Sequence, residues 1–267
     1  ERRRAREPRP PRYDPAELLG VVPADFRRPY DVREVIARIV DDSDFLEFKA
    51  LYGPGTVCGH ATLDGYPLGI LGNNGPIDPD GATKAGHFIQ LCCQSDVPIL
   101  YLQNTTGYMV GTAAERAGMV KHGSKMIQAV ANATVPQLTV IVGGSFGAGN
   151  YGMCGRSFDP RFVFAWPASR IAVMGGEQAA KVMEIITAAK LARMGMTPDA
   201  DAIAAMGKSI RDGLDAESTA LYATARLWDD GVIDPRDTRR VLAFALATID
   251  EGRGRSLHPN TFGVARL

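Results

Sequence analysis

Residues 143–153 read Gly-Gly-Ser-Phe-Gly-Ala-Gly-Asn-Tyr-Gly-Met and follow directly on the apolar run Leu-Thr-Val-Ile-Val at 138–142. A short β-branched run that ends in glycines reads as a buried strand. Such a strand must turn with almost no side chains beside it, so other backbone or a ligand can come close. If a helix begins at the turn, its first amides have no partner inside the helix and favour negative charge. Amides placed this way can stabilise an oxyanion. The same residues also suit a tight strand-to-helix turn made for packing alone, and the rest of the chain has to decide between the two.

Periodicity organises that remainder. A helix is predicted over 32–40, capped by Asp31, with Glu34 completing a capping box. A strand-like run covers 45–52, and the apolar runs 57–63 and 66–71 flank Asp64-Gly65, a dipeptide that favours a two-residue hairpin. Residues 82–94 carry helical spacing, 99–102 form a short buried strand, 104–111 a glycine-bounded loop, and 113–133 one long helix. After the strand at 138–142, a helix opens over 150–154, strand-like runs follow at 162–165 and 169–173, and a helix starts at Ala179. Strands that alternate with helices define an α/β chain with a largely parallel sheet. Ligands of such sheets sit beyond the carboxyl ends of the strands. The glycine-rich loops 72–75, 104–111 and 143–153 each follow a strand, which would bring them to one site. Residues 200–221 are alanine-rich and read as an outer helical excursion, and 238–249 as a final amphipathic helix.

Charge is balanced, with 30 basic and 30 acidic residues, so the net field gives no footing for nucleic acid or a membrane surface. The exception is local. Residues 1–12 hold Arg2, Arg3, Arg4, Arg6, Arg9 and Arg12 among three prolines, the texture of a linker or peripheral arm. No aromatic residue is interleaved there, as a single-strand binding surface would need. No apolar core follows the arginines, so no signal peptide is expected. No run reaches the roughly 18 apolar residues of a membrane helix. The domain proper is expected over 13–267. Cys58, Cys92, Cys93 and Cys154 lack metal-ligand spacing and are expected as buried, reduced thiols, with no metal in the chain. His60 and His258 read as structural or surface residues.

Several chemistries fail on the residues. Ser145 lies in a Gly-x-Ser-x-Gly pattern, the nucleophile elbow of hydrolases. That order also needs an acid and then a histidine, and the only later histidine is His258. No Gly-Lys-Ser/Thr closes the glycine run as a phosphate loop would. No acidic residue ends the following strand as a dinucleotide site would. What remains is charge stabilisation by backbone, suited to enolates and oxyanions formed from thioesters or ureido groups.

Motifs in order then resemble a known family. They are Asn104-Thr-Thr-Gly107-Tyr-Met-Val-Gly111, Lys121-His-Gly-Ser-Lys125, Val135-Pro136, Gly143 through Tyr151, Phe158-Asp-Pro-Arg-Phe162, Ala172-Val-Met-Gly-Gly-Glu177-Gln178 and Trp228 through Arg239. Together they resemble the carboxyltransferase (β) subunits of biotin-dependent acyl-CoA carboxylases, in the methylcrotonoyl-CoA and geranyl-CoA branch. The resemblance begins near Tyr13 and is to the carboxyl-terminal half of that subunit. It implies a crotonase-like (ClpP/crotonase) ββα superhelix, one domain with the outer helical excursion.

It also implies a function: transfer of a carboxyl group from carboxybiotin to an acyl-CoA. Ala148 and Gly149 match the amides that stabilise the biotin enolate. Phe146 and Gly147 would shape that turn. Gly107, Tyr108 and Gly111 match the loop that lines the biotin channel. No side-chain base is implied, because biotin itself takes the substrate proton once CO2 is released beside the acyl-CoA. Ser145, Cys154 and His122 would therefore have no catalytic part. Lys121 and Lys125 share a helix face, which is either simply solvated or placed near CoA phosphate. The implied partners are an α subunit carrying biotin carboxylase and covalent biotin, and further β subunits in a hexamer. The amino-terminal half of one β subunit would complete the site on the carboxyl-terminal half of another. The implied location is the cytoplasm, or the mitochondrial matrix in a eukaryote. Two alternatives stay open: a biotin-dependent acyl-CoA decarboxylase subunit, and a non-catalytic assembly domain.

Overall fold

The computed structural model describes residues 6–25, 28–197 and 199–256; Arg2, Arg3, Arg4 and His258 lie outside them. The described residues form a sheet of seven strands. Strand β1 (Leu46–Glu47) is a two-residue edge on β2 (Thr56–Leu63), which is joined by a tight turn to β3 (Tyr66–Asn73). The turn residues Asp64 and Gly65 have φ of 52° and 79°, the doubly left-handed geometry that matches the twist of a hairpin. From β3 onward the pairing is parallel, through β4 (Ile99–Thr105), β5 (Gln137–Phe146) and β6 (Phe162–Ala165). Strand β7 (Arg170–Ala172) pairs with the last residues of β5, beyond the stretch that β6 occupies.

Short helices α1 (Leu18–Val21) and α2 (Val32–Ile36) precede the sheet. Helix α3 (Pro79–Gln94) links β3 to β4, and α4 (Thr112–Arg116) and α5 (Met119–Ala131) link β4 to β5. A six-residue helix α6 (Gly147–Gly152) leaves β5 directly. Helices α7 (Gly176–Arg193), α8 (Ala200–Glu217), α9 (Ala220–Thr224) and α10 (Thr238–Arg253) complete the chain.

The sheet is buried on both faces, as parallel sheets are. Period-two alternation sorts the strand residues. Leu100, Leu102, Leu138 and Val140 face a core that includes Val35 and Ile36 of α2 and Leu242 and Leu246 of α10. Ile99 and Tyr101 face the opposite core with Phe88 of α3 and Met126 and Val130 of α5.

The structure corrects the expected elements at several points. The run 113–133 is two helices, because Gly118 takes φ 86° between them. The run 45–52 pairs over only two residues, and Lys49 turns away with φ 50°. The predicted helix over 32–40 ends at Ile36, and Glu34 does not close a capping box. Asp31 caps the amide of Arg33, while Glu34 is taken by Arg38 at 2.6 Å.

The excursion comprises α7 and α8, which pack along each other beyond β7. It begins well before residue 200, and its helices break between Glu217 and Ala220. Helix α7 carries apolar residues on every side, so Ile185 and Ile186 remain 60% and 52% exposed. The described part of the arm lies along the body. Arg9 pairs with Asp42 at 2.9 Å, and the Arg9 carbonyl accepts from Arg239.

Candidate active site

The three glycine-rich loops meet at the carboxyl ends of β3, β4 and β5. The Asn73 side chain accepts from the Asn104 amide at 3.4 Å, and the Asn104 side chain accepts from the Gly144 amide at 3.1 Å. Loop 104–111 is tied to Ile77, two residues past the first loop, by two backbone bonds, Ile77 N to Gly107 O at 3.0 Å and Met109 N to Ile77 O at 2.8 Å. Within it, the Thr105 hydroxyl accepts from the Gly107 amide at 3.1 Å. Gly107 has φ 124°, so the turn it makes is closed to ordinary side chains.

The helix after β5 starts at Gly147, three residues earlier than the sequence pattern suggests. Ala148 and Gly149 therefore lie in its first turn, where amides have no intrahelical acceptor. Gly147 has φ 53°, and a β-carbon on it would stand 2.8 Å from the Val173 carbonyl. Phe146 is buried, extended and provides no side-chain cap. Ala148 is exposed and Gly149 is buried. The arrangement is an uncapped helical turn, open at Ala148, with its amides at the end of the sheet. Such a turn can stabilise an anionic oxygen.

Of the residues expected at the site, Phe146, Gly147, Gly149 and Gly107 come together. A β-carbon on Gly107 would lie 3.7 Å from the Phe146 carbonyl. Tyr108 turns its ring onto Gly123 of α5 and Gly152 of α6, and its hydroxyl donates to the Gly123 carbonyl at 3.4 Å. Burial raises its phenol well above the ordinary value. Gly111 is exposed in open space at the start of α4, with φ 114°.

Ser145 is fully buried, directly beneath the turn. Its hydroxyl donates to Gln103 Oε1 at 2.5 Å and accepts from Asn150 Nδ2 at 2.8 Å. Gln103 Nε2 donates to the Met153 carbonyl at 2.7 Å. A serine whose hydrogen goes to an amide oxygen has no base to activate it. His122 sits instead on α5, with Nδ1 2.9 Å from the Thr83 hydroxyl. All four cysteines carry free thiols; Cys58, Cys92 and Cys154 are buried. Burial pushes the thiols of Cys92 and Cys154 up to about 12, which leaves them unreactive. Lys121 and Lys125 are exposed on α5. Among the described residues no cluster of three or more His, Cys, Asp or Glu could hold a metal ion.

The sequence motifs single out neither Gln103 nor Asn150. The signal for Gln103 was present, since period two puts it on the same buried face as Ile99 and Tyr101. A lone amide on an apolar strand face must have a partner.

Two clefts, of about 820 Å³ beyond β7 and about 350 Å³ between α10 and the start of β4, are not lined by loops 104–111 or 143–153. The amide turn reaches the surface at Ala148, which is exposed, while Gly149 beneath it is buried.

A mixed, mostly parallel sheet with helices on both faces is compatible with the expected crotonase-like fold, and solved carboxyltransferase structures share it. The carboxyl transferase domain family matches residues 2–261, and the chain belongs to that family. It is 51% identical over 257 residues to a probable mitochondrial methylcrotonoyl-CoA carboxylase beta chain of Drosophila melanogaster, covering 96% of this chain and 44% of that protein. It is 52% identical over 260 residues to a probable biotin-dependent acyl-coenzyme A carboxylase beta2 subunit of Mycobacterium tuberculosis, covering 96% and 48%. In structure it matches the geranyl-CoA carboxylase beta subunit of P. aeruginosa, with a TM-score of 0.90 and 58% identity, over 98% of this chain and 50% of that one. The chain spans about half the length of the relatives it matches.

Proposed function

We propose that this chain forms the biotin side of a carboxyltransferase that moves a carboxyl group from carboxybiotin to a branched enoyl-CoA, in an ATP-dependent acyl-CoA carboxylase. The observation that carries this reading is the uncapped first turn of α6, where the amides of Ala148 and Gly149 stand at the meeting point of three glycine-rich loops. Biotin, when bound, supplies an activated carboxyl group and a ureido oxygen that gains negative charge as that group leaves. The residues fit it. An exposed turn with no side-chain cap suits a ureido oxygen better than a charged phosphate, for no lysine or arginine lies within it.

The chain's own contribution is orientation and charge stabilisation. The Ala148 and Gly149 amides bind the oxygen, and the helix dipole adds to them. Gly147 and Gly107 keep the approach free of side chains. Nothing here demands a protein base, in keeping with a Ser145 that is buried and committed to an amide oxygen.

The open turn also supports a site completed from outside this chain, by the acyl-CoA-binding half of a β subunit. Exposed apolar residues on α7, Ile185 and Ile186 among them, support an assembly of several β subunits. An α subunit would deliver biotin. Among the described residues no helix is long and apolar enough to cross a membrane, and the location that follows from the reading is the cytoplasm or the mitochondrial matrix.

The test uses the complete β subunit with its biotinylated partner, ATP and bicarbonate, across a panel of acyl-CoAs. Carboxylation of 3-methylcrotonoyl-CoA or geranyl-CoA is the expected result. Failure with every acyl-CoA, with biotin loading verified, would overturn the reading. Native mass of the same subunit reports the assembly.

A further inference from the structure

We infer that Gln103 is a positioning residue for the amide turn: it clamps the chain on both sides of Ala148-Gly149 and holds the two amides in their working geometry. The inference rests on the reading of that turn as the biotin-side oxyanion site.

Gln103 lies on β4, wholly buried, and its two amide ends reach different parts of one neighbouring segment. Nε2 donates to the Met153 carbonyl, which is the C-cap of α6. Oε1 accepts from Ser145, one residue before Phe146. Oε1 also accepts from Asn150 Nδ2 at 3.4 Å, and the same Asn150 nitrogen donates to Ser145 Oγ. The segment from Ser145 to Met153 is therefore fastened at its start, after its first turn and at its end, to a single side chain from the adjacent strand.

Direction in this network is fixed by chemistry. A main-chain carbonyl only accepts, so the Met153 oxygen must face Nε2. That leaves Oε1 toward Ser145 and Asn150. Hydrogen bonds then run one way, from Asn150 through Ser145 to Gln103, and separately from Gln103 to Met153.

An apolar residue would fill the same space more simply, since Ile99 and Tyr101 on this face are already core residues. A buried amide costs free energy unless it is bonded, and what a bonded one adds is direction. The direction here is set onto a six-residue helix whose own ladder is too short to hold it firmly. The three glycines at 147, 149 and 152 add backbone freedom that something outside the helix must remove.

The experiment uses the complete subunit and its biotinylated partner with Gln103→Met, Gln103→Glu and Ala148→Pro. Gln103→Met keeps the volume and removes every bond. Its kcat should fall roughly 10- to 100-fold, the scale of a catalytic group displaced by about 1 Å. The KM for acyl-CoA should stay within about twofold, as uniform binding is untouched. Gln103→Glu adds a readout that a merely structural role would not move. A neutral carboxylic acid can donate to Met153 and accept from Ser145, whereas a carboxylate cannot donate. Its kcat relative to wild type should therefore rise as pH falls, in protein shown to be fully folded at each pH. Wild-type kcat in Gln103→Met, or a loss that only follows the folded fraction, would overturn the positioning role. Ala148→Pro separates the two readings. If it loses turnover while Gln103→Met does not, the amide site stands and the clamp falls. If Ala148→Pro turns over normally, the amide site itself is refuted.

Discussion

A β-carbon placed on Gly149 would stand 2.8 Å from the Cα of Gly107 and 2.9 Å from the Thr105 methyl. Two backbones, the first turn of α6 and the loop after β4, lie against each other because neither carries a side chain there. Even one methyl group must push them apart. Gly149→Ala is expected to lower stability by about 1–3 kcal/mol, the ordinary range for overpacking a close contact, and to lower kcat as loop 104–111 shifts. Thermal unfolding and turnover of the complete enzyme check both. A variant with the wild-type midpoint and wild-type kcat would show that the approach is not needed.

Ala148→Pro is a cleaner probe of the chemistry. It deletes one amide hydrogen at an exposed, first-turn position, where proline is tolerated because the hydrogen has no helical acceptor. Removal of one oxyanion donor typically costs about 10²–10³ in kcat. That loss is expected here, with secondary structure by circular dichroism unchanged. A loss under tenfold would leave the Ala148 amide outside the reaction.

Much of this site could be read from the sequence, for identifiable reasons. The strand at 138–142 and the glycines after it announce a turn, and Asp64-Gly65 announces the hairpin. Both signals are local, since φ above zero demands glycine or a few polar residues. Helix α6 starts three residues before the sequence pattern places it, because glycines hide helical propensity. Only tertiary contacts, with Val173 and the Gly107 loop, define where that helix begins. The break at Gly118 leaves no periodic signal for the opposite reason: apolar spacing continues across it, and only the positive φ of one glycine interrupts the helix. Gln103 pairs with Ser145 and Asn150 across 42 and 47 residues of chain, and no periodicity encodes partners so far apart.

Ser145→Ala discriminates a structural serine from a nucleophile. The hydroxyl gives and receives one bond each, both buried. Its removal orphans part of the Asn150 amide and is expected to cost about 1–3 kcal/mol. Turnover should stay within about tenfold of wild type, because Gln103 still holds Met153. A nucleophile would lose on the order of 10⁶ in kcat. Steady-state assay of the complete enzyme separates these outcomes, and a loss of that larger size would restore the hydrolase-type reading.

Arg239 in the first turn of α10 reaches the Asp41 carboxylate at 2.5 Å, and that carboxylate also accepts from the Gly65 amide at 2.8 Å and the Asp64 amide at 3.0 Å. One buried group thus ties the hairpin turn to the last helix. Burial by itself would raise the Asp41 pKa, but the Gly65 amide, the Arg239 guanidinium and the Asp64 amide outweigh it and hold the carboxyl below its usual value. The sign follows from linkage. A carboxyl whose folded pKa is depressed contributes stability that is fully present above its unfolded value, near 3.9, and is lost as pH falls through the lower folded value. The native chain should therefore lose stability on acidification below about pH 4. Asp41→Asn should be less stable at neutral pH, by about 3–5 kcal/mol, because Arg239 is left without its carboxylate. The same variant should show a shallower decline below pH 4, since the titrating group is gone. Urea unfolding of both proteins at pH 7 and pH 3 measures the two effects together. Parallel pH curves for wild type and variant would mean that Asp41 does not titrate in step with folding.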